Sequence, residues 1–186
     1  MSDIGEPSGN VKKDQKAEDR ENSSHRRCWD WVIFSGHCHY ARNRSSFVTY
    51  RRVGRVIYDG IFGGDIFVAG VGTVELRVRA SKTEGSPVRT LVLDSVLHIP
   101  SAMCNGFCFA KYNTVYGGTT YLGPEFSGTD RHNHPLWYGE PFCGLQKLVR
   151  AGNPQGESYL EDWKRDGGSF CLSMYVDEKD LEEILS

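Results

Sequence analysis

The sequence predicts an all-β fold: a small, closed or nearly closed β-barrel followed by a C-terminal extension that ends in a short helix. Three observations carry this. In Thr73-Val74-Glu75-Leu76-Arg77-Val78-Arg79 apolar and polar residues alternate strictly, the period of a half-buried strand. The 21 glycines and the 12% aromatic content fit short strands separated by many turns. Between Cys28 and Asn113 no helical period appears, so the apolar runs there are assigned to strands closing on one another.

Residues 1–27 come first. They hold six acidic and six basic residues, no aromatic and no periodic apolar pattern. Such a segment cannot bury enough surface to offset the entropy of ordering, which predicts a disordered polar tail. Strands are then predicted at 29–34, 47–51, 55–58, 66–69, 71–79 and 88–99 within a barrel domain spanning 28–113. The run Asp59-Gly60-Ile61-Phe62-Gly63-Gly64-Asp65 supplies a hairpin turn, and Lys82-Thr83-Glu84-Gly85-Ser86-Pro87 a second one. Gly70-Val71-Gly72 lacks the third glycine of a dinucleotide fingerprint and is assigned to a strand kink or bulge. Residues 114–186 form the extension, punctuated by Gly117-Gly118, Gly123-Pro124, Pro135, Pro141 and Asn153-Pro154, with apolar clusters at 142–149 and 170–176. A terminal helix is expected over 178–185, with Asp177 as N-cap and acids in its first turn.

Composition narrows the function classes. A net charge of −2 gives no global attraction to nucleic acid or to anionic membrane. No apolar run approaches the roughly 20 residues that cross a bilayer, and the first residues lack the apolar core of a secretory leader. An intracellular location is expected, with cytoplasm and nucleus left open, and no membrane partner. The six cysteines (28, 38, 104, 108, 143 and 171) contain no CxxC pair, so buried free thiols are expected rather than a disulfide framework or a zinc site.

Four ordered blocks carry a resemblance. They are Trp31-Val32-Ile33-Phe34-Ser35-Gly36-His37-Cys38-His39, then Arg44-Ser45-Ser46-Phe47, then Val68-Ala69-Gly70-Val71-Gly72-Thr73-Val74, and finally Leu93 to Asn105 with its Leu97-His98-Ile99-Pro100 core. Residues 29–113 resemble the protease-like, retropepsin-like β-barrel of Copia-type retrotransposon Pol polyproteins. The match covers under half of the chain.

In that family the turn after the first strand reads Asp-Ser-Gly or Asp-Thr-Gly, and two subunits each contribute one aspartate. Here Ser35 and Gly36 match the turn, while Phe34 stands at the catalytic position. The chemistry needs two carboxylates sharing a proton, one activating water and one acting as acid. Phenylalanine supplies neither function. The resemblance therefore implies a degenerate, non-catalytic domain with no catalytic residue and no cofactor, able to bind a peptide or protein segment or to form a homodimer. A free-standing relic or domesticated gene is expected, since no zinc knuckle precedes the barrel and no room for integrase or reverse transcriptase follows it.

Two other readings compete. The first is a residual peptide hydrolase using another carboxylate or a His/Cys metal site. Asp30 lies four residues before Phe34, on the same strand face but about 13 Å away, while Asp59 and Asp65 fall in the hairpin. His37 and His39 are the metal candidates, since alternate strand residues share a face; His132 and His134 form a second His-x-His. Exposed turn histidines and a buried Cys38 thiol are the plain alternatives. The second reading is nucleic-acid binding through Arg42, Arg44, Arg51, Arg52 and Arg55, interleaved with Phe47, Tyr50 and Tyr58; Arg51 and Arg52 are its candidates. The acidic total argues against nucleic acid as a partner, and arginines on the exposed face of an outer strand are the more ordinary explanation.

Overall fold

Strand-forming residues from both ends of the chain meet in one sheet. The computed structural model describes residues 27–59, 64–167 and 175–186. The predicted tail, except Arg27, and the predicted turn at 60–63 lie outside the described residues. The strands are β1 (Trp31–Phe34), β2 (Tyr40–Ala41), β3 (Arg51–Asp59), β4 (Gly64–Arg79), β5 (Val88–His98), β6 (Asn105–Cys108), β7 (Thr119–Leu122), β8 (Phe126–Thr129), β9 (Pro135–Phe142) and β10 (Leu145–Leu148). The helices are α1 (Phe109–Tyr116), α2 (Tyr159–Arg165) and α3 (Glu178–Leu185).

The strand order is β3-β4-β5-β2-β6-β1-β10-β9-β8-β7. Neighbours are antiparallel except β1 with β6 and β2 with β5, which are parallel. Val32 of β1 also pairs with Lys147 of β10, so strands on either side of residue 113 share one sheet. All four β1 residues are buried. That is the signature of a central strand, and it explains why Trp31-Val32-Ile33-Phe34 reads as a continuous apolar run without alternation.

The fold is mostly β, and two expectations need correction. The sheet is open, not a closed barrel. Its two halves approach where the Arg79 amide donates to the Val149 carbonyl and the Ala151 amide to the Arg77 carbonyl, around a single bridge between Val78 and Arg150. The ladder stops there because Gly152 and Asn153 turn with positive φ and Pro154 lacks a donor. All-β is also too strict. α1 starts at Phe109, directly after β6, and α2 lies in the extension.

Most strand expectations map directly. The runs at 66–69 and 71–79 are one long strand, β4, whose register shifts between Gly72 and Val74, where the glycine-rich kink was expected. Val74, Leu76 and Val78 are fully buried, each contributing about 1.5–3 kcal/mol of apolar burial. Glu75, Arg77 and Arg79 between them are exposed. The predicted strand at 47–51 is different: a 3-10 turn (Arg44–Ser46) precedes Phe47, which makes only an isolated bridge to Val74. Phe47 is buried, but Val48 and Thr49 after it are exposed, and the ladder with β4 begins only at Arg51.

Among the described residues three apolar clusters result. One surrounds Trp31, Leu76, Leu91, Phe107 and Trp137. A second contains Phe34. The third holds Cys28, Val32, Cys104, Phe142 and Leu160, bringing α2 against the start of the sheet. Fully buried Asn105 ties these parts together. Its side-chain amide donates to the carbonyls of Cys28 and Asp30 at 2.9 and 3.0 Å, and its oxygen accepts the Arg42 amide at 2.8 Å.

Candidate functional site

The Phe34 corner is built by three neighbouring strands and then covered. β1 runs parallel to β6, setting Phe34 opposite Cys108. The Phe34 ring packs on Tyr40 with centroids 5.4 Å apart. Both rings lie across Gly106. A Cβ at that glycine would sit 2.3 Å from the Tyr40 ring and 2.6 Å from the Phe34 ring, so only glycine leaves them room. Ser35 is exposed, and the Gly36 carbonyl accepts from the Cys108 thiol at 3.0 Å.

Phe34 is only 8% exposed. Its cluster draws Ile57, Val68, Val71, Leu97 and Cys108 from the sheet, Cys38 and Ile99 from the loops beside it, and Val176 and Ile184 from the C-terminal segment. Helix α3 forms as the sequence expects, with the Asp177 carboxylate accepting the Lys179 amide at 2.9 Å. Ile184 and the partly buried Leu181 are three residues apart and share the face turned to the sheet. Arg55 pairs with Asp180 and Glu183, and the Arg51 guanidinium donates to the Ile184 carbonyl. Beside the turn, Tyr175 meets the His37 ring edge-on at 4.8 Å. The corner is a buried apolar seat held under an acidic amphipathic helix.

Neither Asp30 nor Asp65 joins Phe34's cluster. Asp30 is held by Lys147 at 3.3 Å and by the Ser158 hydroxyl at 2.7 Å, on the wall of a separate cavity of about 440 Å3 with Trp29 and Arg150. Asp65 is exposed on the hairpin, across from Tyr58. The Asp59 side chain lies outside the described residues.

The two metal candidates part company. His37 is exposed against Tyr175, while His39 is buried, stacked on Phe107, and its Nδ1 accepts the Cys108 amide at 3.1 Å. The expected shared face fails because β1 ends at Phe34 and β2 begins only at Tyr40, so strand parity does not hold across residues 35–39. His132 and His134 sit with ring centroids 6.2 Å apart on an exposed turn organised by Asp130. Among the described residues no group of three or more His, Cys, Asp or Glu side chains is arranged to hold a metal ion. Cys38 is fully buried. Burial raises the Cys28 thiol to about 11 and moves Cys104 and Cys108 in the same direction, away from nucleophilic thiolate.

Burial, reinforced by the charge of Lys111, pushes His39 down to about 3. The unfolded chain then takes up a proton near pH 6.5 that the native state refuses. Stability should accordingly fall as pH drops from about 6.5 toward 3, by up to about 1.4 kcal/mol per pH unit for this one group. His39→Asn, which keeps an acceptor for the Cys108 amide, is expected to flatten that decline in denaturant titrations.

The arginine stretch is also divided. Arg51 and Arg55 are committed to α3, whereas Arg52 faces a cleft on the opposite side with Arg44 and Tyr50. Sequence reasoning missed Gly106 and Ile184. Gly106 has no local signal, because its role is set by rings from other strands; the Leu181/Ile184 spacing was a readable amphipathic stripe. No helix among the described residues is long and apolar enough to cross a membrane. Comparison of the chain with family models, curated proteins and solved structures returned no match.

Proposed function

We propose that this chain is a non-catalytic, degenerate aspartic-protease-like β domain derived from a retrotransposon Pol polyprotein, serving as a binding or self-association scaffold. The observation that carries the reading is Phe34, an aromatic ring at the position of the family's aspartate, buried over Gly106 and beneath α3. An aspartate pair needs solvent, a proton and a partner carboxylate; this corner offers a thiol, aliphatic side chains and two rings. What it does offer is an apolar seat with a basic rim, Arg51 and Arg55, matched to a helix bearing Leu181, Ile184, Asp180 and Glu183. Helix-in-groove recognition of this kind reads anchors three and four residues apart. The same seat would accept a similar helix from a partner or from a second copy of the chain.

Incubating the purified chain with a mixed peptide library, with and without a pepstatin-like inhibitor and a chelator, tests the catalytic half of this reading. No cleavage sensitive to either reagent is expected. Inhibitor-sensitive cleavage lost in Asp59→Ala would overturn the non-catalytic reading, and chelator-sensitive cleavage lost in His37→Ala would replace it with a metal hydrolase.

A further inference from the structure

The β3–β4 hairpin has a second face, turned away from α3. Val56 of β3 pairs directly with Phe67 of β4, and Tyr58 follows two residues on. These side chains are 55%, 48% and 55% exposed, an unusual grouping of three large apolar residues on one ribbon. At its base lies a cleft of about 590 Å3 lined by Arg44, Tyr50, Arg52, Phe67 and His98 among others.

The cleft is held in shape. The Arg44 guanidinium lies 3.9 Å over the Tyr50 ring. The Tyr50 hydroxyl is 2.8 Å from His98 Nδ1, and His98 Nε2 is 3.2 Å from the Arg42 carbonyl. A carbonyl only accepts, so Nε2 carries the proton and Nδ1 accepts from Tyr50. This chain of contacts fixes the aromatic floor. Neither Arg44 nor Arg52 forms an ion pair among the described residues, and no acidic residue lines the cleft. Asp65 lies across the ribbon from Tyr58.

We propose that this face binds single-stranded nucleic acid, with phosphates on Arg44 and Arg52 and bases against Phe67 and Tyr58. Unpaired guanidinium groups beside exposed rings are what such strands use, since every base has a π-face and every linkage a charge. The rival occupant is an extended acidic peptide adding to the edge of β3. That edge is broken beside the cleft: register shifts between Arg52 and Arg55, where Gly54 takes φ +63°. A bulge of this kind blunts strand addition at the point where the arginines would be engaged.

The test is fluorescence anisotropy of the intact chain with a labelled single-stranded oligothymidylate of about twelve nucleotides. Binding is expected to weaken at least tenfold in Arg44→Ala/Arg52→Ala and about fivefold or more in Phe67→Ala, since stacking contributes on the order of 1–3 kcal/mol per base. The double variant should also flatten the log–log salt slope by about 1.4, two contacts on a single strand. Arg89→Ala, which removes one guanidinium charge from the exposed start of β5, matches Arg52→Ala in charge and should stay within about twofold, since it deletes a charge far from these contacts. If the double variant loses its native circular dichroism, Arg52→Ala alone carries the comparison. No measurable binding, equal weakening by Arg89→Ala, or tighter binding of a polyglutamate peptide than of the oligonucleotide would each overturn the proposal.

Discussion

Replacing Phe34 with aspartate is expected to destabilise the protein by about 3–5 kcal/mol and to create no peptidase activity. Two effects add. The ring leaves a void against Tyr40 and Gly106, and the carboxyl group enters a cluster of buried apolar side chains and thiols. Arg51 and Arg55 are spent on α3. Phe34→Leu, which keeps most of the apolar volume, should cost under about 1.5 kcal/mol. Urea midpoints of the three proteins, read with unchanged m-values, check the order. An aspartate tolerated at near wild-type stability would mean the corner is wetter than the packing indicates.

Ile184→Asp is expected to release α3 from the sheet while leaving the ten strands folded. Burying an unpaired carboxylate in the Phe34 cluster costs several kcal/mol, more than one short helix gains by docking. The helix has an alternative the strands lack: it can leave. Global unfolding should therefore shift less than the full cost of the charge, while the exposed seat binds an apolar dye such as ANS, as uncovered apolar surface does. Arg55→Ala provides the contrast. Its pairs with Asp180 and Glu183 are substantially exposed, so its loss should cost under about 1 kcal/mol and leave dye binding unchanged. The helix is held by apolar contact, with charge setting its orientation.

What the sequence could convey followed from locality. The alternation at 73–79 and the Asp177 cap are decided within a few residues, and both appear as expected in β4 and α3. The open sheet was not legible, because closure turns on whether residues 149–151 extend their ladder against 77–79, two segments some seventy positions apart. Helix α1 was hidden because Phe109-Ala110-Lys111-Tyr112 continues the apolar run of β6 without a capping side chain. At the site, the Phe34 position stood out on the motif alone. Its burial did not, since that depends on Gly106 one strand away and on Ile184 at the far end of the chain. His37 and His39 misled because strand parity was applied across a segment that is not a strand. Arg51 and Arg52, adjacent in sequence, serve opposite faces of β3, as strand geometry requires of neighbours.

Amide hydrogen exchange, compared between the intact chain and Ile184→Asp, tests the covered corner most directly. Peptides of α3 should lose protection in the variant. Peptides spanning Phe34, Ile57, Val68 to Val71 and Leu97 to Ile99, well protected in the intact chain, should exchange faster as local opening at the uncovered corner becomes easier, while peptides around Leu76, Leu91 and Trp137 should not change. Exchange at the Phe34 corner that is fast in the intact chain, or indifferent to Ile184→Asp, would contradict a seat closed by the C-terminal helix.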